Sequence, residues 1–144
     1  MANNKWNDAE VIKRIKQRVV DRLTLVGEFV AGDAKLRCPV DLGNLRESIF
    51  YKVDEDELSV IIGTNVEYAI YVEFGTGEKA EDGNGKKGGW FYATDYKQAK
   101  GYLLGQTENE KYLYFTYGSK PQPFLRPALI ENKEEIKSIL NIAT

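Results

Sequence analysis

Between Asp8 and about Leu36 the apolar positions Ile12, Ile15, Val19, Leu23, Val26, Val30 and Ala34 recur at steps of three and four. That spacing lays a single stripe along an α-helix. The stretch therefore predicts a long helix, with Asn7 or Asp8 to cap its first turn and the pre-proline residue Cys38 to end it. Lys13, Arg14, Lys16, Arg18 and Arg22 form its charged face. No aromatic side chains are interleaved with them, so this face reads as solvated rather than as a nucleic-acid contact.

After Pro39, "VDLGNLRESI" predicts a short helix through Leu42, Leu45 and Ile49, capped by Asp41. The β-prone runs "IFYKV" and "LSVIIG", joined by the acidic turn "DEDE", predict a hairpin. In "TNVEYAIYVEFGTG", Thr64 and Asn65 are cap candidates, and Val66, Ala69, Ile70 and Phe74 have helical spacing before Gly75 and Gly77 stop the helix. "GGWFYAT" and "KYLYFTYG" predict a second hairpin, and the intervening "DYKQAKGYLLGQTENE" reads as a projecting loop or a brief helix. A last helix is expected from about Pro127, with Leu129, Ile136, Ile139 and Leu140 on its apolar face. This order predicts an α+β fold: a long N-terminal helix and a C-terminal helix packed on a small antiparallel sheet of two hairpins, with long projecting loops.

The 144 residues suit one domain, 1–144, and the 42% hydrophobic and 12% aromatic content is enough for a packed core. Twenty basic against 22 acidic residues leave a formal charge of -2, unlike the cationic balance of a dedicated nucleic-acid binder. No apolar run approaches the ~18 residues of a membrane span, and the polar start "MANNKWNDAE" resembles neither a signal nor a transit peptide. The expectation is a protein made in the cytosol and not bound to membrane. The sequence contains no histidine. That excludes serine triads, Cys-His dyads and most catalytic zinc sites, all of which depend on an imidazole. The lone Cys38 has no intramolecular disulfide partner and reads as a small buried hydrophobe.

Carboxylate chemistry is not excluded in this way. Asp54, Asp56 and Glu57 with a metal are the enzymatic alternative, but the "DEDE" turn lacks the central glycine and distant glutamate of an EF-hand loop and reads as a solvated turn. The stretch "GTGEKAEDGNGKKGG", Gly75 to Gly89, contains a G-x-G-x-x-G string, but a charged segment precedes it and a strand-like one follows. A dinucleotide fingerprint needs a strand before it and a helix after it. A Walker A loop fails as well, because Ala80 stands where its first glycine belongs and Lys87 where its Ser or Thr belongs. No cofactor and no metal are expected. The reading preferred for these residues is a glycine-rich loop that orders against a neighbouring protein.

Three stretches together, "PVDLGNLRESI" (Pro39 to Ile49), "GTNVEYAIYVEFGTG" (Gly63 to Gly77) and "KPQPFLRPAL" (Lys120 to Leu129), resemble the head-to-tail joining, tail-completion proteins of long-tailed bacteriophages. These form the family named after gene product ten of the HK-ninety-seven phage, and the likeness runs from about Val11 to Leu140. The resemblance implies a structural virion protein with no enzymatic activity. It would form a homo-oligomeric ring, usually a hexamer, at the neck between the portal and adaptor (head-completion) protein on one side and the tail terminator and tail-tube protein on the other. DNA would pass through its lumen without sequence-specific binding, and the ring would be assembled in the host bacterial cytoplasm. The tail-terminator ring is the alternative within the same class. The long "DYKQAKGYLLGQTENE" insertion departs from the shortest family members.

The three blocks supply the expected subunit and partner contacts. From the first come Asp41, Gly43 and Arg46, with Gly43 leaving room for close backbone approach. The second gives Tyr71, Glu73, Phe74, Gly75, Thr76 and Gly77, and the third gives Pro123, Phe124, Arg126 and Pro127. Local capping for Asp41 and core packing for Tyr71 and Phe74 are the plainer alternatives. A buried Glu73 would need a cation, and Arg126 is the expected one, within or between subunits. The "PQPF" prolines suit a stiff extended arm.

Overall fold

The computed structural model describes residues 7–40 and 43–141, so Asp41, Leu42 and the capping expected of Asp41 lie outside the described residues. The chain is α+β. Its elements are α1 (Asp8–Arg37), α2 (Gly43–Ser48), β1 (Phe50–Asp54), β2 (Ser59–Gly63), α3 (Ala69–Phe74), β3 (Trp90–Thr94), β4 (Tyr102–Gln106), β5 (Tyr112–Thr116), α4 (Leu125–Ile130) and α5 (Lys133–Leu140). They fall into two compact units, one from Met1–Asn65 with Phe124–Thr144, the other Val66–Pro123.

In the first unit α1 runs for 30 residues and packs on the β1–β2 hairpin and on α4 and α5. The predicted stripe is buried from Leu23 through Val26 and Val30 to Ala34, joined by Val20, Gly27 and Ala31. Its first turns differ: Ile12 and Ile15 are 65% and 55% exposed, because the stripe begins before the hairpin and α4–α5 reach it. Neither predicted cap is used through its side chain. Asn7 is the N-cap residue without a side-chain hydrogen bond, and its carbonyl accepts the Val11 amide at 3.1 Å. At the other end Cys38 turns extended (ψ 134°) before Pro39, donates its amide to the Ala34 carbonyl and is buried, as its role as a small hydrophobe requires.

Gly27 sits where the Tyr51 ring of β1 lies against the helix; a Cβ there would be 2.7 Å from Tyr51 Cγ. The small residue sets how closely helix and hairpin approach. The helix end is tied down by charge. Arg37 reaches Asp33 Oδ2 at 2.8 Å and Glu131 Oε2 at 2.6 Å, and Asn132 Nδ2 donates to the same Asp33 oxygen at 2.6 Å. The two carboxylates hold the Arg37 guanidinium pKa above its ordinary value, the Asp33 hydrogen bond most of all. The expected single C-terminal helix is two, broken between Ile130 and Lys133 where Asn132 makes this bond.

The β1–β2 hairpin forms as predicted, with Phe50 opposite Gly63 and Asp54 opposite Ser59. Its acidic turn is held by Asp54, whose Oδ1 accepts the amides of Asp56 and Glu57, each at 2.9 Å. Those two donors, Glu57's first, draw the Asp54 pKa below the usual carboxylate range. A depressed folded pKa means the charged form contributes stability that is fully present above the unfolded value and is lost as pH falls through the folded one. The difference in melting temperature between the parent and Asp54→Asn is therefore expected to be steady above about pH 5 and to close below about pH 4. Paired melts across that range check it, and a difference that does not change with pH would refute it.

In the second unit the predicted hairpin of β3 with β5 is present, Trp90 opposite Thr116 and Tyr92 opposite Tyr114. The segment between them is neither loop nor helix. It carries β4, which pairs antiparallel with β5 to give the sheet order β3-β5-β4, with a bulge between Leu103 and Gly105. The chain reverses into β5 through Thr107–Lys111, where Glu110 takes φ 59°. The two glycines at Gly101 and Gly105, depleted in strands generally, concealed this strand in the sequence.

Candidate functional site

Residues 66–77 are the centre of the second block. The expected caps Thr64 and Asn65 stand too early: α3 starts at Ala69, with the Tyr68 carbonyl accepting the amides of Tyr71 and Val72 at 3.1 and 3.2 Å. It ends at Gly75, whose φ of 76° needs a residue without Cβ. The burial of this helix inverts the plainer sequence reading. Ala69 and Glu73, one turn apart, face inward and are 7% and 4% exposed. Ile70, Tyr71 and Phe74 face outward and are 59%, 60% and 43% exposed, so Tyr71 and Phe74 are not core.

Beyond α3, Thr76 bonds three ways to Ser119. Its amide donates to the Ser119 carbonyl at 2.9 Å, its hydroxyl accepts the Ser119 amide at 3.0 Å, and the two hydroxyls lie 3.1 Å apart. The Glu78 amide donates to the Tyr117 carbonyl at 2.9 Å, and that of Gln122 to Val72 at 2.8 Å. The glycine-rich loop is thus fastened within its own unit. The Glu78 carboxylate accepts the Gly88 amide at 2.9 Å, the Phe74 carbonyl accepts the Glu81 amide at 2.9 Å, and Lys87 Nζ donates to the Gly83 carbonyl at 2.8 Å. The expectation that Gly75 to Gly89 orders only against a neighbour is corrected accordingly. These glycines allow backbone to lie on backbone: a Cβ on Gly85 would collide with the Gly77 carbonyl.

The other expected contact residues are scattered. Gly43 opens α2 and is exposed, and among the described residues of the chain a Cβ there meets nothing within 4 Å. Arg46 donates from Nε to the Lys35 carbonyl at 2.7 Å, holding α2 against the last turn of α1. Pro123 is exposed, Phe124 is fully buried, and Arg126 and Pro127 are half-buried in α4. The Glu73–Arg126 pairing remains a proposal.

Sequence reasoning missed the three-stranded sheet as a surface. One face is closed by the chain itself: Tyr92 and Tyr114 stack at 5.6 Å and donate their hydroxyls to the carbonyls of Lys100 and Lys97. Burial, with Tyr114 nearby, pushes the Tyr92 phenol pKa up. The opposite face carries Phe91, Phe115 and Tyr117, with ring centroids 5.0 Å apart in each successive pair, together with Tyr102 and Leu104. The alternation of "WFYAT" and "YLYFT" carried the signal, since aromatic residues occupy both alternating sets.

Residues 4–75, half of the chain, match the family model described as "Bacteriophage HK97-gp10, putative tail-component". The chain belongs to the HK97-gp10-like family. No curated protein and no solved structure is matched. The HK97-gp10-like match takes in α1, the β1–β2 hairpin and α3 with its exposed Ile70, Tyr71 and Phe74. The family is one of phage tail components, so the chain is assigned to that class. The third block, Lys120 to Leu129, and the whole three-stranded sheet lie beyond the matched residues.

Proposed function

We propose that this chain forms a homo-oligomeric ring at the phage neck, joining the DNA-filled head to the tail and surrounding the DNA exit channel. Its role is structural, without catalysis, and its neighbours are the portal or adaptor protein on the head side and the tail terminator or tail tube on the other. The observation that carries this reading is the outward apolar side of α3, where Ile70, Tyr71 and Phe74 stand in water within the matched region while a glutamate is buried behind them. A monomer gains nothing from that arrangement, whereas a subunit clamped between neighbours covers it. Tyr71, Phe74 and the adjoining Gly75, Thr76 and Gly77 are the proposed contacts. Glu73 and Arg126 are the proposed ion pair, and the family resemblance supplies the neck position.

Electron microscopy of the native particle tests this reading. A closed ring of this chain at the head-tail joint is expected, and a phage lacking the gene should yield DNA-filled heads and finished tails that fail to join. Virions without the protein would overturn the proposal. Density confined to the end of the tail tube would make it a terminator instead.

A further inference from the structure

The open face of the β3-β5-β4 sheet has Phe91, Tyr102 and Leu104 at 65%, 67% and 54% exposure, with Tyr117 at 41%. Taking ~200 Å² for each aromatic side chain, roughly 500 Å² of apolar surface is left in water. That is near the upper end for the largest patch on a monomer and below the ~800 Å² per partner of a standard interface. A patch of this size suits one joint of an assembly in which each subunit is held at more than one place. Its charge is uneven. At the end where β4 turns into β5, Asp95 is matched by Lys111 at 3.8 Å, while Glu108 and Glu110 stand exposed without a matching cation beside them among the described salt bridges.

The leading turns of α1 have the complementary make-up. Val11, Ile15, Arg18 and Arg22 follow one another at steps of four, three and four, which puts them on one side of the helix with Ile12 beside them. Val11, Ile12 and Ile15 are 40%, 65% and 55% exposed, and both arginines are exposed. Seven residues separate Val11 from Arg18, or about 10 Å along a helix. Four residues separate Phe115 from Lys111, or about 13 Å along a strand. An apolar patch followed by a positive one on the helix thus matches an apolar floor followed by a negative end on the sheet.

We infer that the leading turns of α1 in one copy lie on the open sheet face of the next copy, with Ile12 and Ile15 over Phe91 and Tyr102, and Arg18 and Arg22 at Glu108 and Glu110. The two surfaces differ, so the contact is heterologous and repeats head to tail. This inference rests on the ring reading and names one of its joints.

Complementation in the full-length chain tests it. The parent should show concentration-dependent species larger than monomer in sedimentation. A helix variant (Ile12→Asp with Ile15→Asp) and a sheet variant (Phe91→Asp with Tyr102→Asp) should each sediment as monomer while keeping the parent's circular dichroism. An equimolar mixture should give a dimer and nothing larger, because each variant retains one intact surface. As a check that does not touch the apolar residues, Arg18→Glu with Arg22→Glu should abolish assembly, and adding Glu108→Arg with Glu110→Arg in the same chain should restore it. A parent that stays monomeric at every concentration, variants that assemble like the parent, a mixture that does not pair, or charge reversals that change only DNA binding would each overturn the inference. Failure of the ring reading looks different: copies pair as described, yet the particle holds no ring of them at its neck.

Discussion

Phe124→Ala is expected to destabilise the protein by about 3–5 kcal/mol, a large part of the ~5–15 kcal/mol available to a domain. Phe124 has no exposed surface, and Leu45, Val30 and Cys38 are the other largest fully buried side chains. Ala34 and Ala128 are equally inaccessible. Removing a ring from such a site forfeits its transfer free energy and leaves a cavity that rigid neighbours only partly fill. Leu129, one residue beyond Ala128 in α4, provides the control. It is 52% exposed, and Leu129→Ala should change stability by only about 0.5 kcal/mol. Chemical denaturation of both variants measures the difference, and equal losses would show that Phe124 is not a core anchor.

The contrast between Phe124 and Leu129 also marks how far the sequence could be read. Periodicity located α1 because thirty residues give the helical period many repeats, and the hairpin β1–β2 because an acidic turn separates two β-prone runs. Residue type placed the lone Cys38 inside, and the proline after it ended α1 at the right place. Periodicity failed where elements were short. α3 has six residues, too few to define a face from spacing alone, so the sequence left Tyr71 and Phe74 open between contact and core, and the structure leaves both exposed. β4 was hidden by Gly105 within it and Gly101 just before it. Both failures fall where large apolar residues are exposed, on the outer side of α3 and along β4. Binary patterning assumes that apolar residues are buried within the chain, and it misreads those that the chain leaves exposed.

The other large effect lies at Gly118, whose backbone packs on the start of the glycine-rich segment. Gly118→Ala is expected to cost roughly 3–5 kcal/mol, adding a steric overlap of backbone to an unfavourable dihedral. Gly118 has φ 106°, and a Cβ there would overlap the Thr76 carbonyl, 2.6 Å from its carbon and 2.9 Å from Gly77 Cα. No flexible side-chain end is involved, so relief requires moving one backbone segment off the other. That movement breaks the bonds joining 76–78 to 117–119, namely Thr76 amide to Ser119 carbonyl, Glu78 amide to Tyr117 carbonyl and Ser119 amide to Thr76 hydroxyl. Gly83→Ala separates the two causes. Gly83 has φ 68° but nothing within 4 Å of a Cβ, so it should lose only the conformational part, about 1 kcal/mol. Hydrogen exchange gives the local readout: in Gly118→Ala the Thr76 and Glu78 amides should lose protection, while in Gly83→Ala they should keep it. If the two variants are equally stable, backbone contact at Gly118 is not what holds the loop. If they differ as expected, Gly118 is there to let the backbone of 117–119 pack on that of 76–78, which in turn positions the end of α3 and its exposed Tyr71 and Phe74.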